Sequence, residues 1–132
     1  MSIFGIGTDI VNVDRLKNSL KNKRFINRIF NEKEISKCKK IKNNVNCYAK
    51  RFAAKEAFSK ALGTGISNGI NFKEIVILNK KSGKPYIRII GQTKKILNKK
   101  FKKKKTMVSL SLSDEKKYAV AFVTISLWTQ KF

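Results

Sequence analysis

A chain of 132 residues, 42% of them hydrophobic and with a single proline, has the length and composition of one folded domain; intrinsic disorder and a multidomain array do not fit it. Its formal charge of +23, from 31 Lys and Arg against 8 Asp and Glu, points to an anionic partner: nucleic acid, anionic membrane, acidic protein or phosphorylated small molecule. Lysines supply 26 of those cations, and a lysine-dominated surplus reads first as solvated surface rather than as specific phosphate forks.

The opening MSIFGIGTDIV lacks the basic and long apolar regions of a secretory signal. No apolar run reaches the roughly 20 residues of a membrane helix, so no transmembrane segment is expected. Cys38 and Cys47 have no second pair and no secretory context, which argues against a disulfide framework and for a reducing cytoplasm. Residues 3–11, IFGIGTDIV, are predicted to form a strand. Alternation places Gly5, Gly7, Asp9 and Val11 on one face and Phe4, Ile6, Thr8 and Ile10 on the other. On this reading the two glycines leave room for something to approach the Asp9 carboxylate.

Short helices are expected over Val13 to Leu20 and around Phe25 to Ile29. Asn31 followed by Glu34 has the form of a reciprocal cap, opening a helix to about Ile41. KNNVN at 42–46 closes that helix and offers Asn44 as a cap for the next, which runs from about Val45 to Leu62 and stops at Gly63, with the GTG of 63–65 supplying backbone freedom. The period then changes. FKEIVIL at 72–78 and PYIRII at 85–90 read as strands joined by the turn-rich NKKSGK. A helix over 92–100 and an exposed FKKKK at 101–105 follow, then MVSLSLS at 107–113, pairing across DEKK with YAVAFVTISLW at 118–128. Helices early and antiparallel strands late give an α+β fold, a single domain over 1–132.

The long helix carries an acid, Glu56, whose face also holds Ala49, Phe52, Ala53, Lys60 and Gly63; Ala54, Phe58, Ala61 and Leu62 cover much of the other side. Such a helix is central, with narrow exposure, and a carboxylate in it requires a partner. Two readings are open. Lys60, one turn on, completes a helix salt bridge; or Glu56 ligates a metal, with Lys60 placed to meet a phosphate. Asp9 either caps a helix beginning near Val11 or joins Glu56 in an oxygen-rich site for Mg²⁺ that phosphate and water complete.

GIGTDIV at 5–11, FNEKEISKC at 30–38, RFAAKEAFSKALGTG at 51–65, SGKPYI at 82–87 and VSLSLSDEKKYAVAFV at 108–123 follow one another over almost the whole chain. In these segments the sequence resembles the holo-acyl-carrier-protein synthase family of phosphopantetheinyl transferases. The resemblance implies the 4'-phosphopantetheinyl transferase fold, with early helices packed on a mainly antiparallel sheet. It implies transfer of 4'-phosphopantetheine from coenzyme A to a serine hydroxyl of apo-acyl-carrier protein, releasing adenosine 3',5'-bisphosphate. It further implies Mg²⁺ held by Asp9 and Glu56, coenzyme A lying across the glycine-bearing strand and central helix, and a cytoplasmic homotrimer whose sites form between subunits.

By the same resemblance Lys60 is a catalytic phosphate contact, and Arg51, Lys55 and Gly63 join it towards coenzyme A. Lys84 and Pro85 border the adenosine end, while Arg15, Arg24 and Arg28 dock the acidic carrier. One position departs. The family's Ser-aliphatic-Ser-His segment reads SLSD at 111–114, so Ser113 precedes Asp114 where a histidine is expected. Aspartate can accept a hydrogen bond or bind Mg²⁺ but offers no imidazolium. Twelve basic and no acidic residues between Asn79 and Lys105 support a competing nucleic-acid-binding reading. No nucleic-acid motif frames them and few aromatics interleave with them, so no specific nucleic acid partner is expected.

Overall fold

The structure is a computed structural model that describes residues 1–63, 69–102 and 104–129. In chain order the elements are β1 (Ser2–Asn12), α1 (Val13–Ser19), α2 (Lys23–Ile29), α3 (Glu32–Lys39), α4 (Val45–Leu62), a 3₁₀ turn (Phe72–Glu74), β2 (Ile75–Asn79), β3 (Pro85–Ile89), α5 (Gly91–Phe101), β4 (Lys104–Asp114) and β5 (Tyr118–Thr129). The strands form an antiparallel sheet in the order β1-β5-β4 and a second antiparallel pair, β2-β3. This is the α+β arrangement expected, with the hairpin across DEKK pairing Asp114 with Ala119. Two boundaries move: 72–74 turns as a 3₁₀ segment before β2 begins, and Lys104 and Lys105, exposed as expected, already belong to β4, whereas Phe101, the last residue of α5, is buried.

Local chemistry sets the helix ends. Asn31 and Glu34 make the reciprocal cap of α3. Gly63 ends α4 in the left-handed region at φ 80°, its N–H reaching the Ser59 and Lys60 carbonyls. Thr64 and Gly65 of the GTG run lie outside the described residues. Asn44 precedes α4 without capping it through its side chain. Asn12, not Asp9, caps α1 by accepting from the Arg15 N–H, which removes the capping reading of Asp9.

Twelve of the eighteen residues of α4 are buried, so it is the axis about which the rest packs. Its contact with β1 depends on glycine. A Cβ on Gly5 would overlap the Ala61 carbonyl oxygen, and one on Gly7 the Ala57 carbonyl oxygen. The glycine face is therefore filled by α4 backbone and offers no space for a ligand, which corrects the expected approach path. Asp9, two residues on, is set directly beside the helix.

On the far side of α4, Lys55 is fully buried. Its three ammonium protons go to Glu34 Oε1 at 2.7 Å, the Phe72 carbonyl at 2.7 Å and the Ile75 carbonyl at 2.6 Å. Glu34 Oε2 accepts from the Ile77 N–H at 3.1 Å. One ion pair thus joins α3, α4, the 3₁₀ turn and β2. The end of α3 and the start of α4 also bring Cys38 and Cys47 to a Cα separation of 5.6 Å, and the two are disulfide-bonded. The short turn after α3 folds both helix ends together, correcting the expectation of reduced cysteines.

Candidate active site

The β1–α4 contact gathers the first three site residues. Lys60 projects from the last turn of α4 and donates to Asp9 Oδ1 at 3.0 Å and to the Thr8 carbonyl at 2.9 Å. The helix salt bridge expected between Lys60 and Glu56 is thus replaced by one across to the strand. Glu56 is half-buried and makes no hydrogen bond or ion pair with a described residue. Its pKa is raised by desolvation and then by the Asp9 charge, with Lys60 opposing. A carboxylate held in that way gains by acquiring a cation.

Asp9 and Glu56 line one hollow of about 400 Å³ with Arg15, Ser19, Phe25 and Phe52. Two hard carboxylates facing open volume suit Mg²⁺, which binds through one or two carboxylates and takes its other ligands from water and phosphate. Among the described residues no third His, Cys, Asp or Glu joins them. Of the two aromatic walls, Phe52 of α4 lies on the Glu56 face as expected, while Phe25 of α2 escaped the sequence reading, because its approach to α4 is a long-range contact.

Arg15, Arg24 and Arg28 are exposed. Arg24 and Arg28 line a second hollow with Ser19 and Phe25, and those two residues also border the Asp9–Glu56 hollow. The three arginines therefore edge the acid site continuously along α1 and α2.

The remaining expected residues fall elsewhere. Lys55 has no unused proton and no exposed surface, so it is structural and the expected coenzyme A contact is corrected. Arg51, also buried, donates to the Cys47 carbonyl and sulfur at 3.2 Å and to Asn79 Oδ1 at 2.9 Å, leaving Nε without a partner. Asn79 in turn donates to the Gly83 carbonyl at 3.0 Å, fixing the exposed turn that carries Lys84 and leads into Pro85. Asn79, which the sequence reading missed, is the link between Arg51 and that turn.

Gly63 is exposed at the end of α4. Asp114 accepts from Asn46 Nδ2 at 2.8 Å and lies 3.6 Å from Lys50 Nζ, away from the Asp9–Glu56 hollow. Those bonds tie the β4–β5 hairpin to the start of α4. Ser113 is exposed beside it.

Fold and site together define a class, and the comparisons agree with it. The family model described as the 4'-phosphopantetheinyl transferase superfamily matches residues 5–123. The chain is 52% identical over 125 residues to the holo-[acyl-carrier-protein] synthase of Pelagibacter ubique (strain HTCC1062), covering 95% of this chain and 98% of that one. Among solved structures it resembles the holo-[acyl-carrier-protein] synthase of Neisseria meningitidis at 39% identity and TM-score 0.83, covering 94% and 98% of the two chains. It also resembles that of Helicobacter pylori, solved in complex with coenzyme A, at 31% identity and TM-score 0.77, covering 92% and 99%. The chain belongs to the holo-[acyl-carrier-protein] synthase family of phosphopantetheinyl transferases.

Proposed function

We propose that the Asp9–Glu56 hollow is the reaction centre of a Mg²⁺-dependent holo-[acyl-carrier-protein] synthase. The enzyme transfers 4'-phosphopantetheine from coenzyme A to a serine hydroxyl of apo-acyl-carrier protein and releases adenosine 3',5'-bisphosphate. The observation that carries the site assignment is the pair of carboxylates facing one hollow, one of them with a raised pKa and without a described partner.

Asp9 and Glu56 would hold Mg²⁺, which when bound supplies neutralisation of charge developing on the transferring phosphate. Lys60 spends two protons on the Thr8 carbonyl and Asp9, leaving one N–H for a phosphate oxygen. Arg15, Arg24 and Arg28 steer the acidic carrier to the edge of the hollow. Gly63, Lys84 and Pro85 remain as coenzyme A contacts. Arg51 acts as a positioning residue for the Lys84 turn, through Asn79.

The quaternary proposal is a homotrimer. The face of the β1-β5-β4 sheet turned away from α4 exposes Ile3, Ile6, Ile10, Met107 and Phe122. An apolar sheet face of this kind supports subunit contact. Ser113 lies on the same face and Asp114 at its margin, positions from which a partner subunit's site can be reached. No helix among the described residues is long and apolar enough to cross a membrane. The cytoplasmic assignment rests on the two substrates.

The test is intact mass of a folded apo-carrier incubated with the protein, coenzyme A and Mg²⁺. A Mg²⁺-dependent gain of one phosphopantetheine is expected, together with nucleotide release. No gain with several carriers that an authentic transferase modifies would reject the proposal.

A further inference from the structure

A second cavity lies on the opposite side of α4 from the reaction centre and has no part in the chemistry above. Its volume is about 310 Å³, within the range of small-molecule sites, about 300–1,000 Å³. Phe58 of α4 and Ile125 of β5, both essentially unexposed, form its floor. Ile87 of β3, Leu97 of α5 and Val108 of β4 make its walls. Val108 and Ile125 are cross-strand partners on the inner side of the sheet, so the cavity faces away from the proposed subunit contact.

The mouth has a different chemistry. Lys94, Lys102 and Lys104 line it, all exposed and none in an ion pair with a described acid. Among the described residues no carboxylate lines the cavity, and the other polar lining residues are Asn98 and Thr106. Glu74 of the 3₁₀ turn, whose carboxylate meets the first N–H groups of α5, is already committed. Against a desolvation that would raise it, hydrogen bonds from the Thr93 hydroxyl, the Thr93 N–H and the Gln92 N–H hold its pKa below the ordinary value.

Lys94, Leu97, Asn98 and Phe101 recur at helical spacing, so one face of α5 supplies both apolar wall and cationic lip. Lys102 leaves the helix at φ 48°, the one positive φ of a non-glycine among the described residues, and so turns the chain from α5 towards β4 at the mouth.

An apolar interior closed by three cations selects a ligand with a chain at one end and an anion at the other. We propose that this cavity binds a single-chain anionic amphiphile, a fatty carboxylate being the simplest member of the class. The alkyl chain lies against Phe58, Leu97 and Ile125, and the carboxylate meets Lys94, Lys102 and Lys104. The inference is independent of the transferase assignment, because none of these residues belongs to the Asp9–Glu56 hollow.

The experiment is isothermal titration calorimetry of the full chain with dodecanoate below its micelle concentration. Hexanoate and inorganic phosphate serve as anions without a long chain, and dodecyltrimethylammonium as a chain of the opposite charge. Saturable one-site binding of dodecanoate alone is expected. The triple substitution Lys94→Glu, Lys102→Glu and Lys104→Glu should weaken it at least roughly tenfold, since both steering and contact charge are reversed.

Val108→Phe, which fills the cavity, should abolish binding while circular dichroism and the melting transition report a folded protein. If that variant does not fold, the charge-reversed protein alone decides. Equal heats from phosphate or hexanoate would mean that surface charge is responsible and would overturn the proposal. So would equal binding of the cationic amphiphile, undiminished binding by the charge-reversed protein, or no saturable binding at all.

Discussion

Lys55 and Glu56 are neighbours in the chain and opposites in the structure. Lys55 enters the core, where Glu34 and two carbonyls take all three of its protons. Glu56 turns to the other side of α4, into a hollow shared with a second acid, and meets no described partner. Burial lowers the pKa of Lys55 to about 8, with the Glu34 charge and hydrogen bond opposing that shift; burial and Asp9 raise that of Glu56. Both are desolvated charges in one helix. The completed hydrogen-bond set builds the fold, and the incomplete one is available for chemistry.

The contrast is broken most severely by Lys55→Met. It strands the Glu34 charge in the core and should cost about 3–5 kcal/mol in denaturant unfolding. Adding Glu34→Gln should recover part of the loss, because the uncompensated charge is gone; the single amide oxygen can keep only one of the two N–H bonds that Glu34 accepts, from Asn31 or from Ile77, so the recovery is incomplete. A loss under about 1 kcal/mol for Lys55→Met would show that the pair is not the tie described.

Next in size is Gly7→Ala, which drives a methyl into the Ala57 carbonyl and should cost at least about 1–3 kcal/mol. Because this contact sets Asp9 beside α4, transfer activity should fall further than the folded fraction does. Parental activity in a fully folded Gly7→Ala protein would separate the glycine contact from the site.

Reversing Arg15, Arg24 and Arg28 together should raise the carrier KM roughly tenfold and leave that for coenzyme A nearly unchanged. Added salt should then affect the parent more than the variant. An unchanged carrier KM at low salt would place docking elsewhere.

The smallest effect is the most diagnostic of which side of the contrast Glu56 belongs to. Its folded pKa lies above its unfolded value, so its contribution to stability is full below the ordinary carboxyl range and is lost as pH rises through the folded pKa. In metal-free protein at neutral pH, Glu56→Gln should therefore leave the melting temperature unchanged or slightly raised. A clear fall would make Glu56 a structural residue like Lys55.

Much of this was legible in the sequence because it is local. The Asn31–Glu34 cap, the stop at Gly63 and the alternation of 107–113 each depend on residues within a few positions. What escaped was long-range. Glu34 read as a cap and is one, yet it also bonds Lys55 and Ile77, 21 and 43 positions away, and helical periodicity carries no information about such partners. Gly5 and Gly7 read as space for a ligand; missing side chains equally admit a helix backbone, and only packing decides which. Asp9 and Glu56 were identified as a pair, while the geometry joining them, with Lys60 crossing to the strand, required the β1–α4 contact. Arg51 was visible as a cation but not its link through Asn79 to the Lys84 turn.

The central claim is that Asp9 and Glu56 act together on a metal while Lys55 beside them does not. It is tested most directly by the transfer rate as a function of free Mg²⁺ for the parent and for Glu56→Gln, with coenzyme A and carrier saturating. The account predicts an absolute Mg²⁺ requirement in the parent and, in the variant, a half-saturating Mg²⁺ concentration shifted upward at least about tenfold with a reduced plateau, in an equally stable protein. Superimposable Mg²⁺ curves for the two proteins would contradict it.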